Sequence, residues 1–348
     1  MSLPGVLHDS HNRVIRDLRI SITDRCNFNC VYCLPETEEA EHLSPATVTG
    51  KRPFPWKPRS QLLSFEEIVR VARVVASLGV EKIRITGGEP LLRRGVESLI
   101  SQIAAVETIR DLSLTTNGTH FPRLAKRLKE AGLSRVSISL DSLDRDNFRK
   151  ITGRDGLSEV LESIRLAKAL DLAPVKVNAV IIRGFNDHEI VPLARFAMEA
   201  DVIMRFIEFM PLDSRQVWRR EHVVPGSEIA DQIKAELPVS SLPSNNPAET
   251  ATRWSLGQGT GEIGIIAPVT QPFCGHCNRL RLTADGKIRT CLFSLHEHDL
   301  KPCLRGDSAS NEVLEEQLRR IVLTKEPGHR ISEPDFVQPE RSMSHIGG

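Results

Sequence analysis

The sequence predicts an α/β fold in which a parallel sheet forms an open, partial barrel. Short β-rich runs alternate with amphipathic helical stretches over residues 17–210. Alternation of this kind is typical of a parallel sheet with right-handed crossovers. Six βα units are recognisable, fewer than the eight that close a complete barrel. We therefore expect a TIM-like (β/α)6 barrel that stays open.

Each element follows from local residue pattern. Strands are predicted near 17–23, 81–86, 111–116, 135–140, 175–182 and 203–209. The helices between them carry apolar residues at helical spacing, as at Ile68, Ala72 and Val75. Ser64 followed by Glu67 has the form of a capping box at the start of the first of these helices. Helices are predicted near 64–78, 95–106, 121–131, 157–170 and 187–199.

The strands also alternate in polarity. Ile83 and Ile85 are interleaved with Lys82, Arg84 and Thr86, and the later strands repeat this pattern. A parallel strand that is covered on both faces should instead be almost continuously apolar. If the apolar set packs against the helices, the polar set lines the barrel interior, which would suit a large anionic ligand. The alternative is an antiparallel sheet with one solvated face.

Composition shifts divide the chain into three parts. We expect an N-terminal segment at 1–16, the barrel at 17–237 and a C-terminal region at 238–348. Residues 35–60 and 238–250 are rich in Pro, Ser, Thr and charge, so we predict a flexible loop and a loose linker there. In the C-terminal region, strands are predicted around 252–256, 262–267, 280–284 and 287–291, and a helix over 311–323.

Overall charge is balanced, with 46 basic and 45 acidic residues among the 348. This balance gives no reason to expect nucleic acid or a membrane surface as a partner. No run of about 18 apolar residues occurs, and the first residues lack the pattern of a secretory signal. We therefore expect a cytoplasmic protein.

The seven cysteines point to metal binding. An odd number in a chain without an export signal makes a disulfide framework improbable. Six of them form two groups near opposite ends of the chain and one stands apart: Cys26, Cys30 and Cys33, then Cys274, Cys277 and Cys291, with Cys303 left over. This distribution predicts two metal centres.

The first group has the spacing C-x3-C-x2-C directly after the first strand. Three thiolates can hold three irons of a cubane cluster, which leaves the fourth iron free to bind the amino and carboxylate groups of a small molecule. A zinc site would require four ligands, and C-x3-C is uncommon spacing for one.

With Tyr32 before its last cysteine, this group resembles the C-x3-C-x-aromatic-C signature of the radical S-adenosylmethionine (SAM) enzymes. Gly87-Gly88-Glu89-Pro90, at the end of the second strand, matches the GGEP motif of the same superfamily. The resemblance implies reductive cleavage of SAM to a 5′-deoxyadenosyl radical. It also implies that the backbone and Glu89 meet the amino group of SAM.

The second group reads C-x2-C-x13-C, again three thiolates. His276, His296 or Cys303 could supply a fourth ligand and make this a zinc site. The surrounding segment, CGHCNRLRLTADGKIRTCLF, resembles the second-cluster segment of the GTP 3′,8-cyclases of molybdenum cofactor biosynthesis. Further motifs of that family follow in order from about residue 13 onward: RDLRISITDRCN, KIRITGGEPL, LTTNG, SLD, VKVN, RFIEFMP and a terminal Gly-Gly.

This resemblance implies a lyase-type enzyme that holds two 4Fe–4S clusters and SAM and converts GTP to (8S)-3′,8-cyclo-7,8-dihydroguanosine 5′-triphosphate at the mouth of the barrel. It places the GTP contacts on Arg19, Arg84, Thr115, Lys176, Arg279 and Arg281. It places the SAM contacts on Tyr32, Gly88, Ser139 and Met210. It gives the tail residues Gly347 and Gly348 a catalytic role, delivering backbone groups to the active site.

We also expect a reductant protein or small electron donor as a partner, and a homodimer. Two alternatives remain at this point. A radical SAM enzyme with an auxiliary cluster could modify a peptide instead, and a zinc-dependent binding protein would not cleave SAM at all.

Overall fold

The computed structural model describes residues 5–34, 56–257, 261–306 and 309–347. Most of the predicted flexible loop at 35–60 lies outside the described residues. In the first part of the described chain, one α-helix separates each pair of successive strands, except that two helices lie between the fourth and fifth strands, and strand order in the sheet follows chain order. The strands are β1 (Asp17–Ser21), β2 (Lys82–Thr86), β3 (Asp111–Thr116), β4 (Arg135–Ser139), β5 (Lys176–Ile181) and β6 (Ile203–Glu208). The helices are α1 (Phe65–Ser77), α2 (Val96–Ala104), α3 (Phe121–Glu130), α4 (Arg145–Thr152), α5 (Leu157–Ala169) and α6 (Ile190–Ala200).

All six strands are parallel to their neighbours, which confirms the predicted partial barrel. Ile83 and Ile85 are fully buried against the helices, as their alternation predicts. The capping box of α1 is present, because Ser64 Oγ accepts from the Glu67 amide and the Glu67 carboxylate accepts from the Ser64 amide. Helix α4, a short and strongly polar segment, was not predicted.

The rest of the chain adds to both edges of the same sheet. Strand β9 (Glu262–Ile266) pairs in parallel with β6, and β10 (Arg279–Leu282) pairs in parallel with β1. The described strands do not close into a full barrel, because the two edges continue into antiparallel strands instead. The remaining elements are α7 (Gly226–Glu236), β7 (Val239–Leu242), β8 (Thr252–Leu256), β9 (Glu262–Ile266), β10 (Arg279–Leu282), β11 (Lys287–Arg289), β12 (His298–Asp299), α8 (Lys301–Arg305), α9 (Asn311–Leu323) and α10 (Met343–Ile346).

The four strands and the helix predicted in the C-terminal region are present. The prediction of a loose linker at 238–250 is only partly right, because the first residues of this segment form the edge strand β7. Ser240 and Ser241 are exposed on that strand, so its sequence reads as loop although its backbone is paired. Among the described residues, no helix combines the length and the apolar character needed to cross a membrane.

Candidate active site

The first cysteine group lies beyond the carboxyl end of β1. Cys26, Cys30 and Cys33 are partly buried, form no disulfide and line one cavity of about 130 Å³. Burial raises the pKa of the Cys26 and Cys33 thiols to about 12, since it opposes the charged form. Three free thiols facing one enclosed space fit a three-cysteine iron–sulfur cluster, whose irons would displace these protons on binding.

The glycines of the GGEP motif allow the end of β2 to approach the cysteine segment. A Cβ atom on Gly88 would lie 2.4 Å from the carbonyl oxygen of Arg25, and one on Gly87 would lie 2.6 Å from that of Thr23. The amides of Gly88 and Glu89 donate to the carbonyls of Thr23 and Arg25, both at 2.8 Å. The motif therefore joins the strand end to the cysteine segment, and only glycine fits there.

Glu89 has a different position from the one expected. Its carboxylate is fully buried and accepts from the Thr116 hydroxyl at 2.7 Å and from the amides of Leu91 and Asn117 at 3.0 and 2.7 Å. Burial raises its pKa to about 7. The carboxylate thus ties β2 to the end of β3, and it is not among the residues that line the first-cluster cavity.

A central cavity of about 260 Å³ adjoins the first-cluster cavity. Tyr32, Thr115, Ser139, Asp141 and Met343 line both spaces. Of the predicted SAM contacts, Gly88 lines only the first-cluster cavity and Met210 only the central one. The Tyr32 hydroxyl donates to Asp141 at 2.7 Å, which fixes the ring between the two cavities.

The second cysteine group lines the central cavity. Cys274 and Cys277 bracket a short turn before β10, and Cys291 follows β11. Burial opposes ionisation of Cys277, but the charges of Arg279 and Lys325 outweigh it and lower the pKa of this thiol to about 6. Burial raises the pKa of Cys291. Three free thiols around one cavity again fit an iron–sulfur cluster.

The other proposed ligands lie elsewhere. Cys303 is buried in the main hydrophobic core on α8, and His276 lines a different cavity. His296 is not among the residues that line the central cavity. Among the described residues, no three His, Cys, Asp or Glu side chains are arranged to bind a single metal ion.

The two cysteine groups lie at opposite ends of the barrel. Strands β1 and β10 are parallel, with Arg19 opposite Arg281. Cys26 follows the carboxyl end of β1, whereas Cys277 precedes the amino end of β10. The central cavity between them therefore runs through the interior of the barrel.

A row of arginines crosses that interior. Arg281, Arg19 and Arg84 stand in register on the neighbouring strands β10, β1 and β2. Burial lowers the pKa of each, to about 9 for Arg84. The Nε atoms of Arg19 and Arg84 are buried without a hydrogen-bond partner among the described residues. Clustered, desolvated cations with unused donors are a site for an anion.

Lys176 does not line the central cavity. It lies at the start of β5 and lines a second, basic cavity of about 1020 Å³ at the amino ends of the strands. Burial and the nearby cations Arg205, Arg135 and Arg84 lower its pKa to about 7. Five residues line both cavities: Arg19, Arg84, Arg205, Thr250 and Arg279. Thr115 and Arg281 line the central cavity but not the basic one.

Sequence reasoning missed Arg205. Its Nε donates to Asn178 at 2.8 Å and its Nη2 to Ser137 at 3.1 Å, which holds the guanidinium where the two cavities meet. The available signal was its alternation with Met204 and Phe206, the same pattern that identified the inward face of the other strands. Lys82, which was predicted to face the barrel interior, lines the basic cavity, and so does Arg135, which was not predicted.

The C-terminal tail reaches the barrel interior. The Gly347 carbonyl accepts from Arg281, and Gly347 has φ +82°. A Cβ at this position would lie 2.6 Å from Thr86 Cγ2. A side chain at Gly347 would therefore not fit without a shift of its neighbours. Gly348 lies outside the described residues.

Comparison with known families defines the class of protein. Residues 20–197 match the family described as the Radical SAM superfamily, and residues 202–331 match the family described as Molybdenum Cofactor Synthesis C. The chain belongs to the radical SAM superfamily and therefore takes SAM and a 4Fe–4S cluster. The crystal structure of Streptococcus suis SuiB bound to S-adenosylmethionine shares the fold, with a TM-score of 0.59 over 95% of this chain and 77% of that one at 12% identity.

Closer relatives define the family within that class. The GTP 3′,8-cyclase of Streptomyces coelicolor is 43% identical over 346 residues, covering 99% of this chain and 96% of the relative. The GTP 3′,8-cyclase of Syntrophomonas wolfei is 42% identical over 345 residues, covering 98% and 99%. The chain is thus a member of the GTP 3′,8-cyclase family.

Proposed function

We propose that the chain converts GTP to (8S)-3′,8-cyclo-7,8-dihydroguanosine 5′-triphosphate, as a lyase acting in molybdenum cofactor biosynthesis. The observation that carries this proposal is that the two cysteine triads lie at opposite ends of two adjoining cavities, of which the central one is lined by a row of buried arginines. The names of the relatives support the same reaction.

In this proposal SAM lies against the first triad, in contact with Tyr32, Gly88, Ser139 and Met210. Cys26, Cys30 and Cys33 would hold the first cluster, which would supply the electron for reductive cleavage of SAM and so a radical that could abstract a hydrogen atom from the ribose of GTP. The hydrogen bond from Tyr32 to Asp141 keeps the aromatic ring at the junction of the two cavities, where it separates and orients the reactants.

GTP occupies the central cavity with its purine toward the second triad, which holds a second 4Fe–4S cluster. Arg19, Arg84 and Arg281 hold the nucleotide from the barrel wall. Arg279 lies where the two cavities meet, and Lys176 meets the phosphates from the basic cavity at the amino ends. GTP would then extend through the barrel rather than across its mouth, because the cations lie inside and at the amino ends. Burial of the site excludes water from the reactive species.

The proposal also includes an electron donor, a location and an assembly. The first cluster needs an electron, so a reductant protein or a small donor is a partner. We propose that the enzyme acts in the cytoplasm, and its balanced charge gives no reason to propose nucleic acid or a membrane surface as a partner. A homodimer is the expected assembly.

Anaerobic reconstitution followed by turnover tests the function. We expect iron and sulfide for two clusters, and formation of both 5′-deoxyadenosine and the cyclised nucleotide when SAM, GTP and a reductant are present. SAM cleavage with no conversion of GTP would contradict the proposed substrate. A colourless, zinc-containing protein that does not cleave SAM would contradict the proposed class of reaction.

A further inference from the structure

Residues 325–328, the segment that follows helix α9, contact each of the three backbone regions that carry the second cysteine group. Lys325 Nζ donates to the carbonyl of Arg279 at 3.0 Å and also to the carbonyl of Thr290. Arg279 is two residues from Cys277, and Thr290 immediately precedes Cys291. One ammonium group therefore joins two of the three ligand-bearing regions.

The third region is held from the same segment. Arg13 donates to the carbonyls of Cys274 at 2.9 Å and Pro327 at 2.8 Å, and also to that of Glu326. Gly328 packs so closely that an added Cβ would lie 3.1 Å from Cys274 Cβ. The spacing of the three thiols thus depends on contacts made by residues 325–328.

The two cations that make these contacts differ in their electrostatic surroundings. Arg13 forms a buried ion pair with Asp9, so its charge is balanced locally. Lys325 is only 3% exposed, and no carboxylate of the described residues forms an ion pair with it. The charges of Lys325 and Arg279 both lower the pKa of Cys277. At Cys291, burial and the charge of Glu326 raise the pKa of the thiol, and the charge of Lys325 lowers it.

We propose that Lys325 is a positioning residue for the second cluster, fixing the regions of Cys277 and Cys291, and that its buried charge raises the reduction potential of that cluster. This inference rests on the second cluster of the proposed function. A positive charge in a desolvated site favours the more negative, reduced form of a nearby cluster, and charge and hydrogen bonding around the sulfurs set cluster potentials.

The test is an EPR-monitored redox titration of the full-length reconstituted enzyme. The signal that changes on adding SAM belongs to the first cluster, so the remaining signal reports the second. At a fixed ambient potential, we expect Lys325→Met to raise the ratio of oxidised to reduced second cluster about tenfold, which is 59 mV for a one-electron couple. The first cluster should keep its wild-type potential.

Two further variants separate charge from packing. Lys325→Arg keeps the charge and should hold the second cluster near the wild-type potential. Lys287→Met is the matched control. Lys287 lies on β11, is partly exposed and is ion-paired with Asp299, so its loss should change the reduction potential of neither cluster.

A second cluster with wild-type potential in Lys325→Met would overturn the proposal. If that variant cannot hold the second cluster, Lys325→Arg decides the matter: retention of the cluster at the wild-type potential supports the proposal, and a large shift to lower potential overturns it. If the reconstituted wild-type protein contains iron for only one cluster, the proposed second cluster is itself wrong, and this result is obtained before any Lys325 variant is made.

Discussion

At the scale of single residues, the neighbouring strand decides whether an arginine is a surface charge or part of a buried binding site. Arg19, Arg84 and Arg281 occur far apart in the sequence, and each taken alone would be an ordinary surface charge. Register brings them side by side in the barrel interior. Burying several cations together is costly unless an anion compensates them, so the row favours binding of a polyanion.

Residue pattern predicted the face of each strand but not the depth at which a side chain lies. The period of two assigns Lys176 and Arg84 to inward positions alike. Only the three-dimensional stagger shows that Lys176 reaches the basic cavity at the amino ends, whereas Arg84 lines both cavities. Glu89 was misplaced for a related reason, because its partners on β3 are distant in sequence.

Replacing Arg279 by Met should weaken GTP binding by about 1.5–3 kcal/mol, the contribution of a hydrogen bond to a charged group. SAM binding should change little, because Arg279 does not line the first-cluster cavity. Isothermal titration calorimetry with each ligand measures both effects. Arg165→Met, which removes an exposed arginine paired with Glu162, is the control. Equal loss of GTP and SAM binding would point to general misfolding instead.

We expect Lys176 to make GTP binding depend on pH. Its pKa is about 7 in the free protein, so at pH 8 it is mostly neutral. A bound phosphate raises that pKa, so binding at pH 8 takes up a proton and GTP affinity falls as the pH rises above 7. Calorimetry in buffers of different ionisation enthalpy measures this uptake. Lys176→Met should abolish it, whereas Lys126→Met, on the exposed face of α3, should not. Unchanged uptake in Lys176→Met would assign the proton to another group.

At the scale of elements, local periodicity predicted the six barrel strands and five of the six helices between them. It could not predict that β9 and β10 extend opposite edges of the same sheet, because pairing between distant strands leaves no local signal. The pairing of these strands determines where the second cysteine group lies. Strand β10 beside β1 brings the second cysteine group to the end of the barrel opposite the first.

The separation of the two cysteine groups predicts separable losses. Serine at Cys26, Cys30 or Cys33 should abolish SAM cleavage and remove iron for about one cluster, because each is one of three ligands. Serine at Cys274, Cys277 or Cys291 should leave SAM binding largely intact and abolish GTP conversion. Iron analysis with quantification of 5′-deoxyadenosine and cyclised nucleotide distinguishes the two patterns.

Cys303→Ser is the matched control, because Cys303 is buried in the main core away from both groups. We expect it to keep both clusters and near-normal turnover. Loss of a cluster in this variant would show that the ligand set is wrong, and 5′-deoxyadenosine formation by a Cys26, Cys30 or Cys33 variant would exclude the first triad as the SAM-cleaving site.

At the scale of the whole molecule, the two ends of the chain meet the site from opposite directions. Arg13, near the start, holds the Cys274 region, and Gly347 in the tail packs against Ser21 and Thr86, the last residues of β1 and β2. Met343 lines both the central and the first-cluster cavity, and its amide donates to the Leu212 carbonyl at 2.9 Å. Residues near the end of the chain therefore form part of the walls of the candidate site.

The final glycines should matter for turnover rather than for binding of the clusters and ligands. The tail is held upstream of them, through Met343 and α10, so we expect deletion of Gly347 and Gly348 to leave both clusters, SAM binding and GTP binding nearly normal while cyclisation is lost. Gly347→Ala tests the narrow path directly, since the new Cβ would meet Thr86 Cγ2 at 2.6 Å and the residue has positive φ. It should reproduce the loss of turnover. Iron content, ligand affinities and single-turnover product yield separate the steps, and wild-type turnover by the truncated chain would make the tail an ordinary terminus.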